Sequence, residues 1–278
     1  MEILISNVLP QLGWVALGAA VMMLVLWLIH LPLRDAGLVD VGWAGGLGAS
    51  AIFCALTGEG DPTARWLIGI VGALWGFRLA LHLLVDRVIT AKEEDGRYQM
   101  LREKLPPGWK THVAFLFFFQ VQALLVGVLA LPFALASQVS HEGLGILQIF
   151  GVVVALVSVG GEALADRQLA RFKKRPDSRG RTCREGLWRY SRHPNYFFEW
   201  LIWCAFALMA TPAPMGWLAW LAPAFMLLLI LKVTGIPPTE ARSVRSRGED
   251  YRAYQRTTSA FFPWPPKADS ASGTKDRP

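Results

Sequence analysis

The chain has 278 residues, 53% of them hydrophobic and 18% charged, with a net charge of +7 and a mean hydropathy of +0.35. Soluble domains carry about 25% charged residues, so the composition excludes an ordinary soluble protein and points to the bilayer. Three cysteines, Cys54, Cys183 and Cys204, without CxxC spacing exclude a disulfide framework and a zinc site, so the thiols read as free and no metal is expected.

A membrane span needs about 20 apolar residues. Seven stretches qualify: 12–33, 40–57, 66–85, 113–137, 143–164, 197–211 and 214–234. The sixth is short and the second is rich in glycine, so a six-span reading stays open. The first 14 residues lack a basic region and run into an apolar stretch too long for a signal peptide, so they read as the start of the first span. The expectation is one all-α membrane domain over 1–263, followed by a disordered tail over 264–278.

Basic residues are distributed unevenly between the spans. Arg34 stands in the first link, six lie in 86–112, ten in 165–196 and nine from Lys232 onward, while the alternate segments hold only Arg65. Lys and Arg mark the cytoplasmic side, which predicts an N-terminus outside and a C-terminus in the cytoplasm. The same charge would attract anionic membrane lipids. Nucleic acid is not expected as a partner, because the charge lies in loops against the bilayer. GxGxxG and phosphate-loop motifs are absent.

In chain order, the first unusual group is Asp40, which opens the second span in DVGWAGGLG, where Gly42, Gly45 and Gly46 permit close approach of a helix or a flat ligand. Arg78 and His82 lie four apart inside the third span, and ionisable groups at that depth are functional candidates. An Asp40–Arg78 ion pair that only joins helices is the plainer reading. The segment 91–110 reads as a helical extension of the third span, stopped at Pro106-Pro107, serving as a solvated connector or a lid. The fifth span leaves the membrane through Glu162, Asp166, Arg167 and Arg171, an acidic stripe beside a basic one. The acids suit ribose hydroxyls and the bases phosphate, or the cations simply snorkel to the interface.

GLWRYSRHPNYFFEW, 186–200, sets charge against an oily helix. A proline favours the first helical turn, so His193 reads as the cap and the helix as starting at Pro194. Its free N–H groups form an anion site, to which Arg189 and Arg192 add phosphate donors. Asn195, Tyr196 and Glu199 follow, with Asn195 and Glu199 on one face. After the last span, Glu240, Arg242, Arg245, Arg247, Tyr251 and Tyr254 mark a cytoplasmic helix that would fold over the site.

These motifs, with ADRQLARFK upstream and PPTEAR and GEDYRAYQRTTSAFFPW downstream, resemble bacterial membrane proteins related to the C-terminal domain of steroid 5-alpha-reductase. The resemblance implies a seven-helix enzyme of the bacterial inner membrane that uses NADPH, bound from the cytoplasm, to reduce an activated C=C bond in a steroid or other lipophilic substrate. It places cofactor contacts on Asp166, Tyr190, Asn195, Tyr196 and Glu199. The residues read above add Arg171, Arg189, Arg192, His193, Glu240 and Tyr251. The RHPxY pattern is shared with isoprenylcysteine carboxyl methyltransferases, so an S-adenosylmethionine-dependent methyltransferase is the alternative, and a non-enzymatic lipid-binding protein the third reading. The steroid reductases carry a Gln-Glu pair and a Tyr in their early spans, where this chain offers Asp40, Trp43, Trp75, Arg78 and His82. His82, Arg78 and Asp40 are therefore the expected catalytic groups, with the imidazole or a group polarised by Arg78 stabilising the enolate oxygen. The substrate's identity and the oligomeric state are not readable from the sequence.

Overall fold

The computed structural model describes residues 2–91, 93–106 and 108–268, and every regular element among them is helical. Residues 269–278 of the expected disordered tail lie outside that range. Six helical stretches are long and apolar enough to cross a bilayer: Leu4–Leu33, Leu38–Thr57, Pro62–Ile89, Trp109–Ala136, Ile146–Lys173 and Gly216–Arg247. The chain is thus an integral membrane protein. The expected sixth span corresponds to the helix Pro194–Ala210, whose 17 residues reach about 26 Å at 1.5 Å per residue, short of a hydrocarbon core about 30 Å thick. Within the region read as one domain, the chain forms two compact units, Met1–Val152 with Phe206–Ala222, and Val153–Ala205 with the stretch from Pro223 onward.

The first unit is built from α1 (Leu9–Leu33), α2 (Leu38–Thr57), α3 (Pro62–Leu83), α4 (Gly96–Lys104), α5 (Trp109–Leu129) and α6 (Leu131–Ala136). On α1, Val15, Ala19 and Met23 repeat every four residues and are buried, whereas Trp14, Leu17 and Val21 are exposed, as suits a helix with one face in lipid. Asp61 caps α3 by accepting from the N–H groups of Thr63 (3.0 Å) and Ala64 (3.2 Å), with Pro62 in the first turn. α2 meets α3 backbone to backbone: a Cβ at Gly76 would lie 2.7 Å from the Gly48 Cα. The glycines singled out in the sequence act differently. Gly42 and Gly46 receive Leu26, Met22 and Met23 of α1, and Gly45 has only the Ala80 methyl nearby. The core of this unit is aromatic, with Phe206 edge-on to Trp75 (5.5 Å) and to Phe133 (4.9 Å).

Between α3 and α5 the structure departs from the expected extension. The third span ends in a π-helical turn, Leu84–Ile89, and the chain re-forms as α4, folded back onto the unit. Asp40 does not pair with Arg78. Its carboxylate accepts from Arg87, from Arg97 Nη2 (2.8 Å) and from the Tyr98 hydroxyl (2.9 Å). Glu94 accepts from the Ala36 N–H (2.9 Å) and from Arg102 Nη2 (2.8 Å), and the Arg102 guanidinium sits 4.5 Å over the Phe115 ring. Tyr98 is 4% exposed, so the solvated connector is in fact a docked helix.

The second unit comprises the later part of α7 (Ile146–Lys173), the loop to α8 (Pro194–Ala210), α8 as far as Ala205, α9 (Leu221–Leu228) from Pro223, α10 (Ile236–Arg247) and α11 (Glu249–Thr257). Ser158 donates to the Phe198 carbonyl (2.5 Å) and joins α7 to α8, while the Trp200 indole N–H donates to the Pro223 carbonyl (3.0 Å). A C-terminal segment follows α11. It is anchored by the Trp264 N–H on the Tyr190 carbonyl (2.9 Å) and the Lys267 N–H on the Thr257 carbonyl (2.8 Å).

Candidate functional site

The loop 186–193 begins with Gly186 at φ +56°, a left-handed conformation that favours glycine, and a Cβ there would strike the Gln168 amide. That amide accepts from the Leu187 N–H (2.9 Å), and the Trp188 indole donates to the Ala165 carbonyl (2.8 Å), so α7 holds one side of the loop. α11 and the C-terminal segment hold the other. Ser191 Oγ donates to the Phe261 carbonyl (2.8 Å), the Arg192 N–H donates to the Ser259 carbonyl (2.8 Å), and the Tyr254 hydroxyl donates to the carbonyls of Trp188 and of Ser191 (3.1 Å). α8 then starts at Pro194, as the sequence predicts.

Glu240 of α10 lies at the centre of this arrangement. It accepts from Arg192 Nε (2.6 Å) and Gln255 Nε2 (2.7 Å) and lies 3.2 Å from His193 Nε2. Arg192 Nη1 reaches the carbonyls of Gln255 (3.0 Å) and Thr258 (2.6 Å). The Arg192 and Glu240 side chains are 11% and 15% exposed, so this is a largely desolvated and well-satisfied pair. The His193 ring stacks on Tyr196 at 5.3 Å and 7°, and the Tyr196 hydroxyl meets Thr239 Oγ1 at 3.1 Å.

A cavity of about 210 Å³ opens beside these groups. The start of α8 contributes His193, Asn195 and Tyr196, and α10 contributes Thr239, Ser243 and Arg247 at a spacing of four. Lys173 of α7 and the loop residues Thr182 and Cys183 complete the wall, with Tyr251 of α11. Arg247 is held in place by Nη2 on Ser243 Oγ (2.5 Å) and by the Tyr251 ring beneath its guanidinium (4.8 Å). Burial, then the negative charge of Glu240, pushes the Tyr251 hydroxyl up to about 12, so it stays a neutral donor at physiological pH. Burial also raises the Cys183 thiol, which makes it a protonated lining group rather than a nucleophile. The buried Thr182 Oγ1 has no hydrogen-bond partner among the described residues. Two cations, a helix start and an unused hydroxyl suit an anionic ligand with an aromatic or amide part.

Of the cofactor contacts read from the sequence, Arg192, His193, Asn195, Tyr196 and Tyr251 line the cavity, and Glu240 stands directly behind them. Asp166 accepts from Asn195 Nδ2 (3.4 Å), while Asn195 Oδ1 takes the Tyr196 N–H (3.0 Å) and so occupies one of the free donors of the helix start. Arg171, Arg189 and Tyr190 are exposed and do not line it, and Glu199 is likewise outside its wall. Thr182 and Ser243 join the site although the sequence reading did not place them there, Arg247 comes to it on the helix expected to fold over it, and Lys173 joins from the basic end of α7. In the first unit, Arg78 is half-buried, His82 is exposed and Asp40 belongs to the α4 docking cluster.

Residues 26–258 match the model of a family described as "Protein of unknown function (DUF1295)". An uncharacterized protein of Schizosaccharomyces pombe is 26% identical over 262 residues, covering 86% of this chain and 76% of its own length. No solved structure matches the chain.

Proposed function

The chain belongs to the DUF1295 family, and from that premise we propose that it is a membrane reductase that uses NADPH to reduce an activated, enone-like C=C bond in a lipophilic substrate. The observation that carries this reading is the cavity at the start of α8, with Lys173 and Arg247 on its wall and the unpartnered Thr182 hydroxyl beside them. These groups fit the phosphate-bearing end of a cofactor. At about 210 Å³ the cavity is smaller than the roughly 300 Å³ typical of a whole ligand pocket, which suits one end of an extended dinucleotide. Asn195 and Tyr196, fixed by Asp166 and Thr239, would orient the bound molecule, and Arg247 and Lys173 would neutralise phosphate. When bound, NADPH supplies the hydride; the protein supplies orientation and a dry site. RHPNY resembles the steroid reductases and the isoprenylcysteine methyltransferases alike, but two cavity cations disfavour the sulfonium of S-adenosylmethionine.

The same reading places the enzyme in a bacterial inner membrane with seven spans, an external N-terminus and a cytoplasmic C-terminus and cofactor site. α8 would be the seventh span. Ile202, Trp203, Ala205, Phe206 and Ala207 are fully buried, and a helix shielded by protein need not match the hydrocarbon width by itself.

Calorimetric titration of the detergent-solubilised full-length protein with NADPH, NADH and S-adenosylmethionine tests the proposal. NADPH should bind, and combined Lys173→Ala and Arg247→Ala should weaken it by at least about tenfold, since a hydrogen bond to a charged group contributes about 1.5–3 kcal/mol. Binding of S-adenosylmethionine alone would transfer the assignment to a methyltransferase. Binding of none of the three would favour a non-enzymatic lipid-binding protein.

A further inference from the structure

The C-terminal segment grades from apolar to basic within seven positions. Phe261 is buried against Phe197 and Trp200 of α8, with ring centroids at 5.8 and 5.9 Å. Phe262 is 51% exposed yet still stands 5.8 Å from the Trp200 ring, and Trp264 is 67% exposed. Lys267 follows. The Trp264 and Lys267 backbone hydrogen bonds to Tyr190 and Thr257 hold the series on a fixed frame. Trp200 lies about 9 Å along α8 from its first residue, inside the apolar run, whereas Tyr190 precedes the helix. The segment therefore sets phenylalanines beside the first turns of α8 and an indole and a cation beside its start. This is the order of side chains where hydrocarbon gives way to headgroups.

Next to Trp264 opens a second pocket, of about 360 Å³, walled in part by Arg256, Ser259 and Lys267. Arg192 also reaches it, but its charge is matched by Glu240. Among the contacts of Arg256 is Glu249 at 2.8 Å, a pair whose side chains are 41% and 68% exposed; a surface pair of this kind is weak. We propose that this pocket and its aromatic rim bind the headgroup of an anionic phospholipid, with the phosphodiester on Arg256 and Lys267, Trp264 at the headgroup boundary and Phe262 among the acyl chains. The pocket shares Arg192 with the cavity at the start of α8, but its proposed ligands Arg256 and Lys267 do not line that cavity, and the proposal does not depend on NADPH binding there.

Thermal unfolding of the detergent-solubilised full-length protein, titrated with phosphatidylglycerol, phosphatidylcholine or inorganic phosphate, tests this. Phosphatidylglycerol should raise Tm at concentrations at least about tenfold lower than phosphatidylcholine, because each basic residue near an anionic headgroup favours binding. Inorganic phosphate should have no effect. A double variant, Arg256→Ser with Lys267→Ser, should keep its lipid-free Tm and lose the preference, and Trp264→Ala should weaken both lipids. Equal response to the two lipids, or an unchanged preference in the double variant, overturns the proposal. Stabilisation by inorganic phosphate equal to that by phosphatidylglycerol overturns it too and makes the pocket a free-anion site. Native mass spectrometry of the wild-type protein from mixed micelles needs no variant: selective retention of phosphatidylglycerol supports the site, and indiscriminate retention sinks it.

Discussion

Arg192 is turned inward. Its Nε and Nη1 are committed to Glu240 and to the Gln255 and Thr258 carbonyls, so the phosphate donor expected from the motif is first a structural tie. Removing one member of a largely buried pair strands the other charge and costs about 3–5 kcal/mol. Arg192→Ala should destabilise the protein by that order in equilibrium unfolding, and adding Glu240→Gln should recover part of it by removing the stranded carboxylate. Unchanged stability with lost NADPH binding would instead make the guanidinium a ligand. Proline chemistry made the start of α8 legible, and with it the positions of His193, Asn195 and Tyr196 on the cavity. Arg171 and Arg189 lie off the cavity wall, and a cation on a cavity wall and an exposed one elsewhere leave the same trace in a sequence. Their separation depends on which helix packs alongside. The stripe Thr239, Ser243, Arg247 carried the one usable signal, a spacing of four that put a cation and two hydroxyls on one face.

At the scale of elements, α4 shows where pattern reading stopped. The Asp95-Gly96 start is an ordinary cap, with Asp95 Oδ1 accepting the Arg97 N–H at 2.9 Å. The π turn at Leu84–Ile89 and the fold-back have no local signature, because docking rests on Asp40, over 40 residues upstream. Burial alone would raise the Asp95 carboxyl, but hydrogen bonds from Arg97 and the charges of Arg97 and Arg87 hold it below the ordinary carboxylate value. The undocked segment therefore takes up the proton first. The contribution is fully present above about pH 4, the usual carboxylate pKa, and is lost as pH falls through the lower docked value. Hydrogen exchange, corrected for intrinsic rates, should show α4 amides equally protected at pH 7 and 5 and less protected below pH 4. Constant protection down to pH 3 would mean that Asp95 does not hold the helix.

At the scale of the whole molecule, most of the membrane architecture was legible, because hydropathy reports directly on length and burial. The segments 12–33, 40–57, 66–85, 113–137, 143–164 and 214–234 each fall on a helix long and apolar enough to span. The expected seventh segment, 197–211, falls on α8, which is short and shielded, and shielding is a property of neighbours. Orientation rests on 26 basic residues in alternate segments against Arg65 in the others. A reporter active only in the cytoplasm should therefore work when fused after residue 278, and activity of a periplasmic reporter there would invert the topology. The ties from the loop 186–193 to α11 and the C-terminal segment join residues 63 to 74 positions apart. At roughly 5–20 residues per second, a ribosome needs several seconds to deliver the second half of each pair after the first has emerged. The loop and α8 are therefore made before their clamp exists, and the site closes only after α11 and the segment behind it have followed.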